Sequence, residues 1–305
     1  MFENHSSTDV TGFPLVETNE IAEFGLEGYP EDFEVGEISD VALSGNTIYV
    51  LDDILNLIHV LEFSNRELNR VDEIEISEGR GPGEMLALSL ISASEEFIAV
   101  ADDREQKVIL FNPHGEPISE FVVDFRPTRL HVHNQKLLLT GFWPTVGSEL
   151  VHVYNKDGNQ TETLINRPDN WMQIAQTGNF ERILPAEDHL FISYPHPYKI
   201  EKYDWSGELL ATFEDAELTG EIEEDGVIQT LETRIFGLQP FGDGILATAM
   251  KDEGYRLELL DQNLNRQKSI APELEHLSFV RTLDDRHILI RQLDPVPHFV
   301  VYVLE

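Results

Sequence analysis

A unit of short apolar runs recurs six times along the 305 residues, as a quartet in all but the last, and this repeat constrains the fold more than any other feature. Two passes show it clearly. IYVLDD at 48–53 and IAVADD at 98–103 are β-rich runs that end in paired carboxylates. Each leads to a second run (LIHVLEF at 57–63, KVILF at 107–111), a polar turn (SNREL, NPHGEP) and a third run (VDEIEI, ISEFVV). Apolar runs of this length, separated by turn formers, read as antiparallel meanders. The pattern returns as KLLLTGF 136–142 with ELVHVYNKDGNQTETL 149–164, and as HLFISY 189–194 with YKIEKYDWSGELLATF 198–213. It returns again as GILATAM 244–250 with YRLELLDQNLNRQKSI 255–270, and as HILIRQL 287–293 with HFVVYVL 298–304. One more short segment precedes each unit: SDVAL, SLISA, TRLHVH, ERILP, RIFGL and LSFVR.

Four strands per unit at a period of about 50 residues predict an all-β, six-bladed propeller of four-stranded antiparallel blades. The sixth unit lacks one strand, and PLVETNEIAEF at 14–24 is a strand-like surplus. Adding it to the last sheet closes the ring and removes two exposed edges. The expected organisation is a loosely packed or disordered segment at 1–13 and one propeller domain over 14–305. A two-domain β protein or a sandwich is the alternative architecture. The segment NWMQIAQTGNF at 170–180 is expected to form a helical turn.

Charge restricts the partners. The chain carries 57 Asp and Glu against 21 Lys and Arg, a formal net charge of −36. Its first 65 residues hold fourteen carboxylates and neither Lys nor Arg. Such a surface repels nucleic-acid phosphates and anionic lipid headgroups. Adaptation to salt, which screens self-repulsion, is the simplest reading, and a cationic partner is the other. There is no Cys, so disulfides, thiolate metal sites and Cys nucleophiles are excluded. MFENHSSTDVTGF has neither the basic region nor the apolar stretch of a secretory signal, and no segment is apolar enough to insert in a membrane. Location stays open, export included, and a monomer is favoured.

The segment EGRGPGEM at 78–85 resembles the G-x-GPGE element of six-bladed propellers related to NHL repeats. AVADDREQKVILFNPHGEPISEF at 99–121 resembles their strand–hairpin–strand pattern, with Asp102, Phe111 and Gly115 at its matching positions. Asp52 and Phe63 match in the first unit, and Asp157-Gly158 and Ser206-Gly207 match the hairpin in the third and fourth. The second-strand Asp is missing from units three to six. The likeness is sharp only across 45–121. It implies the propeller fold, in a group whose members mostly have no assigned activity and are often exported.

In such a blade the loop from strand two to strand three and the loop into the next blade leave on one face. That face gathers Asp52-Asp53, Asp102-Asp103, 78–85, 143–148, 195–198, 251–254 and 294–297, with the acidic excursion 214–232 as a candidate flap. Asp52, Asp53, Asp102 and Asp103 could share a divalent cation, most plausibly Ca²⁺, or accept N–H bonds from their own turns. No cofactor is otherwise required. Arg80, Trp143, His196 and Tyr198 are the candidates for gripping a ligand: a cation for anionic groups and aromatic faces for sugars or peptide side chains. Arg80 could instead pair with Glu84 or a nearby Asp. Trp205 in the opposite hairpin reads as packing. His131 and His133 share one side of a first strand and could bind Zn²⁺ if an acidic ligand approached.

These residues support a noncatalytic propeller that binds a peptide, glycan or protein. The alternative is a metal-dependent hydrolase or lyase with Asp52, Asp102 and Glu84 at the channel mouth. No G-x-S-x-G or H-E-x-x-H motif supports a nucleophile or zincin reading. A purely structural role in a larger assembly is the third possibility.

Overall fold

A computed structural model describes residues 16–17, 38–64, 67–142, 149–168, 182–194, 198–215, 233–251, 254–270, 279–292 and 298–304. All regular structure among them is strand, arranged as six four-stranded antiparallel sheets and one two-stranded parallel pair, Ser77–Glu78 with Glu84–Met85. Blade one comprises Ile38–Ser44, Thr47–Asp52, Leu57–Ser64 and Glu67–Glu75. Blade two comprises Leu90–Ala93, Ile98–Asp102, Lys107–Phe111 and Pro117–Val122. Blades three, four and five begin at Arg126–His133, Arg182–Pro185 and Thr233–Phe241. Blade six is composite. Phe279–Thr282, His287–Gln292 and His298–Val303 are completed on the outer edge by Val16–Glu17, with Val16 opposite Val303 and Glu17 opposite Tyr302. The N-terminal strand therefore closes the ring where the sequence predicts it. The segments 1–13 and 170–180 lie outside the described residues. Among the described residues no helix is long and apolar enough to cross a membrane.

The sequence runs look as they do because each blade is packed on both faces. Ile98–Asp102 and Lys107–Phe111 are buried at every position, so their sequences are nearly continuous apolar runs without alternation. The outer strand Pro117–Val122 faces solvent along much of its length and is correspondingly mixed. The core is a ring of six clusters, each between two neighbouring blades, including Met85 and Phe111 between blades one and two and Leu289 and Phe299 between six and one. Burying this apolar surface is the main favourable term in assembling the ring.

The hairpins between the third and fourth strands of blades two to five share one device. Asn112, Asn155, Asp204 and Asp261 each accept backbone N–H groups two and four residues ahead through one side-chain oxygen. The residue three further on is left-handed: Gly115, Gly158, Gly207 and, in blade five, Leu264. A bulge follows in each strand pair. This is the turn-plus-bulge hairpin whose twist suits paired strands. At Gly158 space matters as well as φ (+77°), because an added Cβ would overlap the Phe121 ring of the preceding blade.

Candidate functional site

The paired aspartates staple the turns that leave the second strands of blades one and two. Asp52 Oδ1 accepts from Ile54 N (3.1 Å) and Leu55 N (3.0 Å), and Oδ2 lies 3.3 Å from His59 Nε2. Asp102 Oδ1 accepts from Arg104 N and Glu105 N, both at 2.9 Å. Its Oδ2 accepts from Leu86 N (2.7 Å) and Ala87 N (3.1 Å), so one buried carboxylate fixes both its own turn and the strand entering its blade. The second Asp of each pair reaches across to another segment. Asp53 Oδ1 accepts from Leu88 N at 2.7 Å. Asp103 accepts from Ser89 Oγ at 2.6 Å and from Arg126 Nε of blade three at 2.6 Å. These geometries match the turn-capping role of Asp. Among the described residues no group of three or more His, Asp or Glu is placed to hold a metal ion.

The 78–85 loop is equally constrained. Glu84 Oε2 accepts from Gly81 N at 2.7 Å, and the Glu84 carboxylate lies where a Cβ on Gly79 would sit (φ +154°). Glycine is therefore required for the side chain to fold back under its own loop. Lys107, which the sequence reading passed over, supports the loop from below. Its Nζ donates to Gly81 O (2.7 Å) and Glu84 O (3.0 Å) and pairs with Glu120 at 3.5 Å. Glu120 in turn accepts from Gly83 N at 2.7 Å. On this base Arg80 is 74% exposed, with its guanidinium 3.3 Å from Glu105, so its partner is neither Glu84 nor an Asp of the turns.

The other candidates separate. Tyr198 is fully buried between blades four and five, edge-on to Phe213 at 6.1 Å, and burial pushes its phenol pKa up. Its ring is a packing element and is not presented at the surface. Trp143 and His196 lie outside the described residues. Trp205 stacks on His133 (5.2 Å between centroids) and donates to Glu187 O at 3.0 Å, consistent with packing.

The centre of the ring holds what the sequence reading did not assemble. The inner strands enclose a cavity of about 550 Å³. An innermost strand has no hydrogen-bonded neighbour on its channel side, so its outward groups need other partners. Polar side chains of adjacent blades supply some. Asp40 Oδ2 accepts from Ile91 N (3.1 Å), Ser92 Oγ accepts from Val132 N (2.9 Å), and Arg281 Nε donates to Val41 O (2.9 Å). Arg281 also reaches Asp40 Oδ1 at 2.9 Å, and Arg291 donates to Ile38 O at 2.9 Å, both across the closure between blades six and one. Bulges between Ile38 and Asp40 and between Pro127 and Arg129 re-aim the residues that follow them. The polar residue inside each otherwise apolar first strand was the available sequence signal.

Arg129, Arg182 and Arg281 line this cavity with His131 and His133. Enclosure by protein, and after it the nearby Arg281, Arg129 and His133, together hold the His131 pKa down at about 3. His131 is only half-buried by surface area, as expected for a group on a channel wall. Two neutral imidazoles among guanidinium groups make a poor seat for Zn²⁺.

A closed ring of six antiparallel sheets, with stapled loops on one face and a polar central channel, defines a six-bladed propeller. The sequence matches the DUF5128 family, described as a 6-bladed beta-propeller, over residues 25–220, and the chain belongs to that family. No curated protein matches it. Among solved structures it is similar to a candidate exported protein of Bacteroides fragilis (13% identity, TM-score 0.65, covering 96% of this chain and 98% of that one). It is also similar to a DUF4221 family member of Bacteroides vulgatus (10% identity, TM-score 0.61, 95% and 94% covered). The propeller domain of Cps50 (Swd1) from Myceliophthora thermophila is a further match (11% identity, TM-score 0.54, 89% and 98% covered). At these identities the likeness is one of fold.

Proposed function

We propose that the chain is a noncatalytic recognition propeller that binds a peptide, glycan or protein through its loop face. The observation that carries this reading is the commitment of Asp52, Asp102 and Glu84 to backbone donors, in loops held rigid beneath an exposed Arg80. A general base needs a lone pair directed at substrate, whereas a recognition surface needs a preorganised support. Arg80, Trp143 and His196 form the proposed gripping set, and Tyr198 leaves it because its ring is buried. The 78–85 loop together with Asp102, Phe111 and Gly115 supports the finer kinship with NHL-related propellers. The acidic surface supports adaptation to salt. The B. fragilis neighbour, described as an exported protein, makes export the location to test first.

Glycan and peptide arrays probed with the full chain test this function. A bound class whose affinity falls at least tenfold in Arg80→Ala and in Trp143→Ala supports it. A bound class indifferent to Arg80→Ala, Trp143→Ala and His196→Ala removes the assignment. Elemental analysis tests the hydrolase or lyase alternative, because a stoichiometric divalent metal would favour it.

A further inference from the structure

We propose that the central channel binds a small organic anion bearing carboxylate or phosphate groups, seated by Arg129, Arg182 and Arg281. The proposal stands apart from the loop-face reading, because it concerns a different surface and different residues.

Composition makes the wall unusual. At the chain's average, its 25 described lining residues would hold about five carboxylates and about one arginine. They hold one carboxylate, Asp40, and three arginines. Asp40 accepts from Val41 N (2.9 Å) and Ile91 N (3.1 Å) and pairs with Arg281 at 2.9 Å, and Arg281 also donates to Val41 O, so this pair balances and the excess positive charge lies with Arg129 and Arg182. The wall is therefore cationic inside a chain of net charge −36. Low-dielectric walls focus such a field along a channel, and an acidic exterior does not cancel it at short range. Planar guanidinium groups match the geometry of carboxylate and phosphate oxygens, which a lone ammonium does not. A cavity of about 550 Å³ accepts a molecule the size of a tricarboxylate or a sugar phosphate. His131, neutral between Arg129 and Arg281, adds one donor or acceptor without adding charge.

The test is calorimetric titration of the full chain at low ionic strength with citrate, glucose 6-phosphate and, as the uncharged control, glucose. The two anions separate carboxylate from phosphate preference. At least one should bind with Kd below about 1 mM, weaken as salt rises, and be displaced from glucose in affinity by tenfold or more. Arg129→Gln and Arg182→Gln should each cost at least tenfold, while Arg104→Gln, at an exposed arginine away from the channel, should leave affinity unchanged. Where a channel variant does not fold, the His131 ring resonances of the unmodified protein should still shift on adding the anion that binds. Absence of binding by both anions, binding that survives both channel substitutions, equal loss in Arg104→Gln, or His131 resonances unmoved by a saturating anion would each overturn the proposal.

Discussion

In the turns that leave the second strands of blades one and two, ionised side chains are committed to the backbone of their own loops; on the channel wall, ionised side chains line a shared cavity, with Asp40 and Arg281 tied to backbone groups and to each other as well. Asp102 holds four N–H groups with its two oxygens, and Asp52 holds two N–H groups and approaches His59. The arginines of the inner strands instead line a cavity of about 550 Å³. Charge at the turns fixes loop geometry, and charge at the channel sets a field. A run of carboxylates in sequence is therefore not a candidate site until the destination of each oxygen is known.

The comparison can be broken in several places. The largest effect is expected at Asp102→Ala, which strands buried N–H groups in two segments and should cost about 3–5 kcal/mol in chemical denaturation. Asp52→Ala should cost less, because its carboxylate holds the N–H groups of one turn and faces His59, whereas Asp102 holds N–H groups of two segments. Equal losses would mean that the second pair of N–H bonds at Asp102 contributes no more than the His59 contact at Asp52. Gly158→Ala should cost about 2 kcal/mol, from a left-handed φ and the overlap with Phe121. Ser92→Ala should cost about 1 kcal/mol by removing the acceptor for Val132 N, measured by the same denaturation midpoint.

Two smaller effects sharpen the contrast through solution conditions. His131 titrates far below its unfolded value of about 6.5, so the unfolded chain takes up the proton first on acidification. Its contribution to stability is complete above about pH 6.5 and is lost as the pH falls towards its folded value of about 3. His131→Gln should flatten the stability profile in that window. The groups that set the profile are Arg129 and His133 on the same strand and Arg281 opposite, with Asp40 and Arg182 also on the wall. Salt should act the other way: raising NaCl from about 0.05 M to about 1 M should raise the melting temperature by screening the acidic surface. No rise would remove the salt-adaptation reading.

The candidate face was legible unevenly, for identifiable reasons. Asp52, Asp102 and the 78–85 loop stood out because short-range turn chemistry leaves its mark in adjacent residues. Lys107 did not, since nothing within KVILF says that its ammonium reaches two carbonyls more than twenty residues away. Tyr198 read as a surface aromatic because it follows the loop at 195–197, and only the neighbouring blade shows that it is covered. The outer hairpins were recognised by glycine, but Asn112, Asn155, Asp204 and Asp261 carry the same turn, and with them Leu264 takes the glycine position in blade five.

By itself the sequence determined the number of blades, the four-strand meander and the closing strand, because these follow from local periodicity and from the cost of an exposed sheet edge. Only the tertiary structure decided which charges meet. Arg281 and Asp40 lie 241 positions apart and touch because the ring closes, and Arg129 and Arg182 share a cavity because every first strand faces the same axis. Electrostatics acts through space over a few ångströms, and sequence separation carries no information about that distance once the chain has returned upon itself.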